Sequence, residues 1–384
     1  MKKVLFVIPY LYGGGAEKVL STVTTNFPKE YDIDILANSD SKIGYEYRGN
    51  IISLGMDRPE NVMSVWFQFK VFLKRIKKLR KLKKTGEYLA CYSFIDSANI
   101  ANVISGNKKC KTIISVHTSL VSSNKIPQYK YIVNPLVSLL YNKASKIIAV
   151  SNGIKEELIN QFNIKSDKIV AINNGCDIPL IKKLATESID DDFVVNLAGK
   201  KTVVTVGRLT DAKGQWHLIR AFKRVHEKCP DSVLMIVGTG EHEQYLKNVA
   251  REAGVQDSVL FTGYQSNPYK FINISDVFVL SSIFEGFPCA MAEAMCVGAP
   301  CVATRFQTGS EELLGDGYGI LSPICSGKKY AGKEVLEEAE IQLADSILSI
   351  INDPELSEHY KKKSIEKSKD LSVEEMINQW VELI

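Results

Sequence analysis

MKKVLFVIPYLYGGGAEKVL, residues 1–20, has two lysines near its start, then an apolar run and three consecutive glycines, and it ends where an amphipathic pattern starts. The run VLFVIP (4–9) is short and contains β-branched residues, which is typical of a strand buried on both faces. A secretory signal peptide is the competing interpretation, but the apolar segment ends in glycines without an A-x-A cleavage site. The segment therefore predicts a buried first strand, a glycine turn and a helix.

This strand–helix unit is repeated along the chain in two series. The first series of apolar runs comprises 4–9, 33–37, 88–94, 111–116 and 146–151, and the second comprises 202–207, 233–238, 258–263, 276–282 and 300–304. Helical patterns separate the runs, and this alternation predicts parallel sheets. We therefore predict an α/β fold of two doubly wound, Rossmann-like domains facing a cleft.

The predicted domain boundaries follow from the polar, turn-rich stretch 173–200, which lies between the two series. Residues 1–178 form the predicted first domain and residues 179–371 the second, a division that suits a chain of 384 residues. The last stretch, 372–384, has the pattern of an amphipathic helix. It either closes the second domain or crosses back onto the first.

The composition is that of an ordinary globular protein, with 45% hydrophobic and 24% charged residues. The net charge of +4 is too small to indicate nucleic-acid binding. Eight cysteines without CxxC spacing indicate free thiols in a reducing compartment, and the five histidines show no metal-ligand spacing. No apolar run reaches the roughly 18 residues that a membrane span needs. We therefore expect a cytoplasmic protein.

Two glycine-containing turns are candidate phosphate sites. GGGAE (13–17) follows the first predicted strand, and VGRLTDAKG (206–214) follows the first strand of the second domain. Glycines let a ligand approach the backbone, and a helix N-terminus attracts anions. Arg208 and Lys213 add positive charge at the carboxyl end of a strand, where open α/β sheets bind ligands. Plain turns and solvated surface cations are the alternatives.

EGFPCAMAE (285–293) places two carboxylates around a predicted helix start. Pro288 suits a first helical turn, Glu285 precedes it, and Glu293 lies further along the helix. Helix N-terminal N–H groups suit an anion, and carboxylates accept hydrogen bonds from sugar diols. A hydroxyl-rich, phosphate-bearing ligand such as a nucleotide sugar would use all these features. A glycosidase carboxylate pair and a capped helix with a surface glutamate are the alternatives.

His117 follows a predicted strand and is either a general acid or base, an orienting donor, or a structural residue. No DxD motif that would hold a metal is well placed. DID (32–34) lies in a predicted strand, and DDD (190–192) lies in the linker. We therefore expect no metal site.

The stretch 65–84 has the pattern of a basic amphipathic helix. Nine Lys and Arg and no acidic residue occur within 70–84, whereas Val65, Phe69, Phe72, Ile76 and Leu79 share one face. The excess of one sign indicates contact with an anionic membrane surface or lipid phosphate. A core helix with a solvated charged face is the alternative. The residues expected at the membrane are Lys70, Lys74, Arg75, Lys77, Lys78, Arg80 and Lys81.

Taken together, these motifs resemble the retaining glycosyltransferases of family 4, which have the GT-B fold. The similarity covers nearly the whole chain and includes GGGAE, SVHTSL (115–120), VSNGIKEEL (150–158), NNGCD (173–177), VGRLTDAKG, VGTGEHEQYL (237–246) and SSIFEGFPCAMAEAM (281–295). The two glutamates of EGFPCAMAE are its most specific part. The glycine motif and the first-domain histidine are similar to those of enzymes that build surface glycans on lipid carriers.

The resemblance implies a role for each matching position. Arg208 and Lys213 would neutralise the departing diphosphate, Glu285 would hold donor-sugar hydroxyls, and Glu293 would bind ribose hydroxyls. His117 would contact the donor sugar or phosphate, so the implied catalytic residues are His117, Arg208, Lys213 and Glu285. The last helix would cross back to the first domain. The other implied donor contacts are Gly14, Gly15, Gly263, Tyr264, Gly286, Phe287, Pro288, Cys289 and Ala290.

The expected function is retaining, metal-independent transfer of a hexose or N-acetylhexosamine from a UDP-sugar to a lipid-linked or growing surface-glycan acceptor. The enzyme would lie on the inner face of the cell membrane as a peripheral protein. We expect no cofactor besides the nucleotide-sugar donor. The acceptor is expected near Ser93, Asp96 and Ser119. A sugar-nucleotide epimerase of similar architecture and a non-catalytic scaffold subunit are the alternatives.

Overall fold

The computed structural model describes residues 2–59, 64–189 and 197–384, without the side chains of residues 124 and 125. The chain divides into two compact units. Unit 1 comprises Met1–Gly175 and Val373–Ile384, and unit 2 comprises Cys176–Ser372. The domain boundaries drawn from the sequence stay a prediction. The DDD motif (190–192) lies outside the described residues, as does part of the predicted linker.

Unit 1 contains a parallel sheet in which seven described strands follow the order β3-β2-β1-β4-β5-β6-β7. The central strands are almost wholly apolar and buried, because helices cover both faces of such a sheet. The strands are β1 Lys2–Val7, β2 Tyr31–Ala37, β3 Asn50–Ser53, β4 Tyr88–Phe94, β5 Lys111–Val116, β6 Lys146–Ala149 and β7 Ile169–Ala171.

The helices of unit 1 follow these strands and include the last helix of the chain. Gly13 has a φ of +84°, a left-handed conformation that favours glycine, in the turn that leads from β1 into α1. The helices are α1 Gly15–Asn26, α2 Val65–Thr85, α3 Asp96–Ile104, α4 Asn134–Leu140, α5 Asn152–Phe162 and α14 Val373–Glu382.

Helix α14 belongs to unit 1 through a buried aromatic stack. The ring of Trp380 stacks on Tyr92 and Phe94, with centroids 5.3 and 5.5 Å apart. The Tyr92 hydroxyl donates a hydrogen bond to the Trp380 carbonyl at 2.6 Å. Buried aromatic side chains of this size contribute strongly to core stability. The stack thereby joins the end of the chain to β4 in the centre of the first sheet.

Unit 2 contains a second parallel sheet, whose six described strands follow the order β10-β9-β8-β11-β12-β13. Its strands are β8 Lys201–Val206, β9 Ser232–Val237, β10 Val259–Gly263, β11 Val277–Leu280, β12 Cys301–Thr304 and β13 Ile320–Ser322. Its helices are α6 Ile178–Ala185, α7 Gln215–Lys228, α8 Glu243–Ala253, α9 Tyr269–Asn273, α10 Cys289–Val297, α11 Ser310–Leu314, α12 Glu338–Asn352 and α13 Pro354–Ser368.

The structure confirms the predicted α/β class with two Rossmann-like sheets, and it adds three strands that the sequence did not indicate. These strands, β3, β7 and β13, are three or four residues long, and each lies at the edge of its sheet. An edge strand has a neighbour on one side only, so it needs no continuous apolar run. Among the described residues, no helix combines the length and hydropathy needed to cross a bilayer.

Candidate functional site

The turn between β8 and α7 carries both predicted cations of unit 2 and packs against the loop that follows β11. Gly214 is left-handed, with a φ of +58°, and a Cβ there would lie 2.5 Å from the Ser281 carbonyl oxygen. The Ser281 hydroxyl donates to the Lys213 carbonyl at 3.1 Å, and the Ile283 N–H donates to the Ala212 carbonyl at 2.8 Å. Only glycine permits this close approach, which fixes the two loops together.

An ion pair joins these two loops. The Nζ of Lys213 lies 2.7 Å from the Oε2 of Glu285, and the two side chains are only 19% and 10% exposed. The Ser282 hydroxyl donates to the other carboxylate oxygen at 2.6 Å, and the Thr308 hydroxyl donates to the Glu285 carbonyl. Partial burial strengthens the interaction between the two charges. The fold thus brings together two predicted functional residues that are distant in the sequence.

Arg208 differs from Lys213 in having an exposed side chain. Its carbonyl accepts a hydrogen bond from the Gln215 side chain at 3.0 Å, which fixes the backbone of the turn. Within the described residues, no carboxylate forms an ion pair with its guanidinium. The Arg208 side chain is therefore a solvent-accessible cation at the carboxyl edge of the second sheet, where open α/β sheets bind ligands.

Helix α10 begins directly after the loop that carries Glu285. The sequence placed Pro288 in the first turn, whereas the structure has Pro288 at the N-cap and the helix begins at Cys289. Within the described part of the chain, no side chain forms a capping hydrogen bond at this end of the helix. Gly286, Phe287 and Pro288 are buried, and Cys289 and Ala290 are half-buried at the first turn. The positive end of the helix dipole therefore lies next to Glu285 in the chain.

Glu293, the second carboxylate of the motif, lies buried in the next turn of α10. The last pair of predicted donor residues follows β10. Gly263 ends that strand with a φ of +70°, and Tyr264 extends into solvent with 75% of its surface exposed. Strands β8, β10 and β11 are parallel members of one sheet, so the segments that follow them lie along a single edge.

The predicted donor residues of unit 1 lie after β1 and β5. Gly14 is the N-cap of α1, and Gly15 is its first residue. His117 follows β5, and its Nε2 lies 2.9 Å from the Ser115 hydroxyl while its ring stacks on Phe94 at 5.3 Å. Burial lowers the pKa of His117 to about 3, so the imidazole is neutral at physiological pH. A neutral ring can orient a ligand by a hydrogen bond but carries no charge.

The three residues that the sequence assigned to the acceptor are buried and bonded within unit 1. The Ser93 hydroxyl donates to the Asn99 side chain at 2.8 Å, and the Ser119 hydroxyl donates to Glu157 at 2.5 Å. Asp96 accepts a hydrogen bond from the Tyr141 hydroxyl at 3.1 Å, and burial raises its pKa. The structure therefore does not support direct acceptor contacts by Ser93, Asp96 or Ser119, because their polar atoms hold the surrounding loops.

The basic helix α2 also differs from the prediction. Arg75 is buried and donates hydrogen bonds to Asn38 and Ser97, so its assignment to a membrane-facing surface is wrong. The predicted apolar face is wrong in part, because Val65 and Phe69 are exposed. The buried face contains Val71, Arg75, Ile76, Leu79 and Lys83. Lys70, Lys74, Lys77, Arg80 and Lys81 are exposed, and Lys78 is half-buried.

One cluster in unit 2 has the composition of a metal site. His217, Cys325 and Glu337 place one potential ligand atom each within 4.8 Å of one another. The Nδ1 of His217, however, is hydrogen-bonded to Glu340 at 2.7 Å, and Glu337 accepts the Ser326 N–H at 2.9 Å. These bonds already give the cluster a structural role. The expectation that the protein has no metal site stays a prediction.

Sequence reasoning missed the two hydroxyl residues, Ser282 and Thr308, that hold Glu285. Ser282 lies three positions from Glu285, but nothing in the motif indicates that its side chain turns back toward the carboxylate. Thr308 comes from the loop after β12 and reaches Glu285 only because β11 and β12 are neighbours in the sheet. No local pattern in the sequence predicts a contact of this kind.

Two family models match the chain one after the other. The model described as Glycosyltransferase Family 4 matches residues 13–179, and the model described as Glycosyl transferases group 1 matches residues 188–367. The first match lies almost entirely in unit 1, and the second lies within unit 2. The first model thus covers the GGGAE turn and strands β2–β7, and the second covers the VGRLTDAKG turn and strands β8–β13.

Similar proteins extend over nearly the full chain. An uncharacterized glycosyltransferase of Methanocaldococcus jannaschii is 29% identical, over 94% of this chain and 95% of its own length. A relative from Campylobacter jejuni is 28% identical, over 96% of this chain and 95% of its own length. It is named N-acetylgalactosamine-N,N'-diacetylbacillosaminyl-diphospho-undecaprenol 4-alpha-N-acetylgalactosaminyltransferase.

The solved structure of HepE from Anabaena in complex with UDP-glucose has a TM-score of 0.74 to this chain. The two proteins are 21% identical, and the comparison covers 100% of this chain and 99% of HepE. At this identity the likeness shows the fold alone. With both family models matched in succession along two Rossmann-like units, the chain belongs to the glycosyltransferases of the GT-B fold.

Proposed function

We propose that this glycosyltransferase moves a hexose or N-acetylhexosamine from a UDP-sugar to a lipid-linked or growing surface-glycan acceptor, with retention of anomeric configuration and without a metal ion. The main support for the donor site is the shielded Lys213–Glu285 pair, which lies beside the exposed Arg208 turn and the uncapped start of α10. This combination of cations, helix dipole and carboxylate suits a sugar joined to a diphosphate.

In this proposal the donor's diphosphate lies against Arg208 and Lys213. Lys213 then shares its charge between the leaving group and Glu285, whose position Ser282 and Thr308 fix. Glu285 accepts hydrogen bonds from sugar hydroxyls, and Glu293 accepts them from the ribose. The loop 286–290 packs beside the sugar and diphosphate, and Gly263 and Tyr264 contact the base. The donor contacts expected for Gly14, Gly15 and His117 in unit 1 belong to the same proposal.

The chemical step breaks the bond between the anomeric carbon and the diphosphate oxygen and forms a bond to an acceptor hydroxyl oxygen. The acceptor enters on the face that the diphosphate leaves, and the hydroxyl proton passes to the departing diphosphate. Negative charge grows on that diphosphate in the transition state. Positioned cations that stabilise developing charge are a large source of rate enhancement. Arg208 and Lys213 supply this charge in the proposal, in the place of a metal ion.

The donor and acceptor classes are supported by similar proteins. HepE was solved with UDP-glucose, and the Campylobacter jejuni relative is named for a diphospho-undecaprenol substrate. A lipid-linked acceptor requires the enzyme to work at a membrane surface. The proposal therefore includes peripheral binding to the inner face of the cell membrane.

Helix α2 supports this membrane surface with two kinds of exposed side chain. Its first turns expose Val65, Trp66, Phe69 and Leu73, of which Trp66 is 81% exposed. Its later turns expose Lys74, Lys77, Arg80 and Lys81. Tyr131 and Ile132, which are also exposed, belong to a segment that a hydrogen bond from Gln128 to Gln68 joins to α2 at 3.3 Å. Exposed aromatic residues beside basic ones are typical of helices that bind the membrane interface.

Vesicle flotation tests this part of the proposal. The full chain is expected to float with vesicles that contain an anionic phospholipid and much less with neutral vesicles. The triple variant Lys70→Gln, Lys77→Gln, Lys81→Gln should lose most of the binding, because each basic residue near an anionic surface contributes about 1 kcal/mol. The triple variant Lys361→Gln, Lys362→Gln, Lys369→Gln removes three exposed lysines of unit 2 and should bind normally. Equal binding by both triple variants would contradict the membrane proposal.

The transfer reaction is tested with UDP-sugars and a short lipid-diphosphate-linked sugar, in the presence of EDTA. We expect UDP release and a lengthened glycan only when the acceptor is present, and an α-linked product from an α-linked donor. An epimerase would convert the donor sugar without an acceptor. A scaffold protein would catalyse neither reaction. Each of those two outcomes would contradict the proposed function.

A further inference from the structure

Arg75 is a buried cation in unit 1 without an acidic partner among the described residues. It lies on the buried stripe of α2 with Val71 and Leu79, and its side chain is 3% exposed. Its guanidinium donates to the Asn38 Oδ1 at 2.8 Å and to the Ser97 hydroxyl at 3.2 Å. Burial lowers the pKa of Arg75 to about 10, so the guanidinium stays charged at neutral pH. Burying a charge without a counter-charge is unfavourable, so this arrangement needs an explanation.

The position of Arg75 suggests a ligand. Asn38 directly follows β2, and Ser97 lies in the first turn of the helix that follows β4. These strands flank β1 in the sheet, so the guanidinium lies at the carboxyl edge of its central strands. That edge is where open parallel sheets bind ligands. Asp96, next to Ser97 in the chain, bonds to Tyr141, and Asp57 accepts from Ser39, which is next to Asn38.

The groups around Arg75 can donate several hydrogen bonds to one ligand. A guanidinium carries more N–H donors than its two bonds use. Because the oxygen of the Asn38 amide faces Arg75, its NH₂ group points elsewhere, and it has no hydrogen-bond partner among the described residues. Ser97 is exposed, so a surface hydroxyl leads directly to the buried charge. A planar guanidinium flanked by hydroxyl and amide donors suits a phosphate or carboxylate group.

We propose that Arg75, Asn38 and Ser97 bind an oxyanion of the acceptor substrate, either a phosphate or a carboxylate group. This inference rests on the proposed function, because it assigns an acceptor feature to the same enzyme. Arg208 and Lys213 of unit 2 already match the charge of the donor diphosphate. The additional cation in unit 1 therefore corresponds to a second anion. An acceptor with a diphosphate linkage or an acidic sugar has such a group.

The binding test uses the full chain saturated with UDP, so that the donor site is occupied. Isothermal titration with inorganic pyrophosphate probes the phosphate class, and titration with glucuronate probes the carboxylate class. We expect saturable binding of one of the two probes, and affinity at least tenfold lower in Arg75→Gln. Lys165→Gln, which removes an exposed lysine elsewhere in unit 1, should bind like the parent protein. Absence of binding by both probes in the parent protein would overturn the inference.

A structural role for Arg75 predicts a different result. If the guanidinium only links β2 to α3, Arg75→Gln lowers the melting temperature but leaves the probe affinity unchanged, and that result would overturn the inference. Should Arg75→Gln fail to fold, Arg75→Lys replaces it, since lysine keeps the charge but loses the planar fork. The affinity of Arg75→Lys for the probe is expected to be about tenfold lower than that of the parent protein. Unchanged affinity would contradict the inference.

The same samples separate this inference from the proposed function. UDP titration and probe titration are performed independently, and the probes are also titrated without UDP. Loss of UDP binding by the parent protein would contradict the donor proposal. UDP binding without probe binding would contradict only the assignment of Arg75. In the transfer assay, Arg75→Gln should raise the KM for the acceptor at least tenfold and leave the KM for the donor unchanged.

Discussion

Lys213 and Glu285 form the most specific side-chain arrangement of the proposed donor site. Their ion pair is shielded from solvent, and two hydroxyls orient the carboxylate and its backbone. An ion pair in this setting is a poor candidate for a purely stabilising contact, because desolvation offsets much of the attraction. A role in holding a charged ligand accounts for it better.

Replacing Lys213 by Gln should lower kcat/KM for transfer about 100-fold, because loss of one group that stabilises the developing charge has an effect on this order. Glu285→Gln should also reduce transfer strongly, since it replaces one carboxylate oxygen by an NH₂ donor and removes the charge that pairs with Lys213. Initial rates of UDP release measure both effects. Lys228→Gln breaks an exposed ion pair with Asp345 and should have normal activity. Normal rates in Lys213→Gln would contradict the assigned role.

His117 makes a prediction about pH and stability. Burial lowers its pKa to about 3 in the folded state, whereas an unfolded histidine titrates near 6.5. The unfolded chain therefore binds this proton more readily, and the resulting stability is present above pH 6.5 and is lost as pH falls toward 3. Between pH 7 and 5, His117→Gln should lose less stability than the parent protein. Urea denaturation at several pH values measures the difference.

The control for this measurement is His359→Gln, because His359 is exposed in α13. It should show the same pH dependence as the parent protein. Parallel stability curves for His117→Gln and the parent protein would mean that His117 is not held neutral by the fold.

Helix α14 stabilises unit 1 through Trp380. The side chain is fully buried between Tyr92 and Phe94, and Phe94 in turn stacks on His117. Trp380→Ala should lower the free energy of unfolding of unit 1 by about 3–5 kcal/mol, the usual result of truncating a large buried aromatic residue. Circular dichroism during urea denaturation measures this change. Asn378→Ala, at an exposed position of the same helix, should change stability by less than about 0.5 kcal/mol.

Helix α2 shows where reasoning from the sequence fails at this scale. The sequence indicated the length of α2 and its excess of basic residues. It did not indicate which side of the helix is buried. Arg75 lies at a core-facing position, where its guanidinium donates to Asn38 after β2 and to Ser97 in the first turn of α3. Val65 and Phe69 are exposed although they are apolar. Periodicity places residues on faces, but it does not identify the face that the sheet covers.

The residues predicted near the acceptor show a related limit of the sequence, although their assignment to the acceptor stays a prediction. Ser93, Asp96 and Ser119 lie in segments that end or follow strands, as expected, but their side chains turn inward to partners such as Asn99, Tyr141 and Glu157. Burial of a polar group requires a hydrogen-bond partner. That partner is chosen by tertiary structure, and a single sequence contains no local signal for it.

For the whole molecule, the repeated strand–helix pattern was sufficient to predict two parallel α/β units. Strands buried on both faces must be almost continuously apolar. The central strands could therefore be recognised in the sequence. The edge strands β3, β7 and β13 are short and have a neighbouring strand on one side only. Their sequences therefore need no continuous apolar run that would identify them as strands. The same reasoning applies to the proposed donor site, because glycines and charges that follow central strands lie at one edge of a parallel sheet by topology alone.

The most direct test of the whole account is isothermal titration of the full chain with UDP in the presence of EDTA. We expect saturable binding at one site, weaker binding of GDP and ADP, and affinity at least tenfold lower in Lys213→Gln and Glu293→Gln. Lys228→Gln should bind UDP like the parent protein. If UDP produces no binding heat in the parent protein, or binds equally well to Lys213→Gln, the proposed metal-independent donor site at the carboxyl edge of the second sheet is wrong.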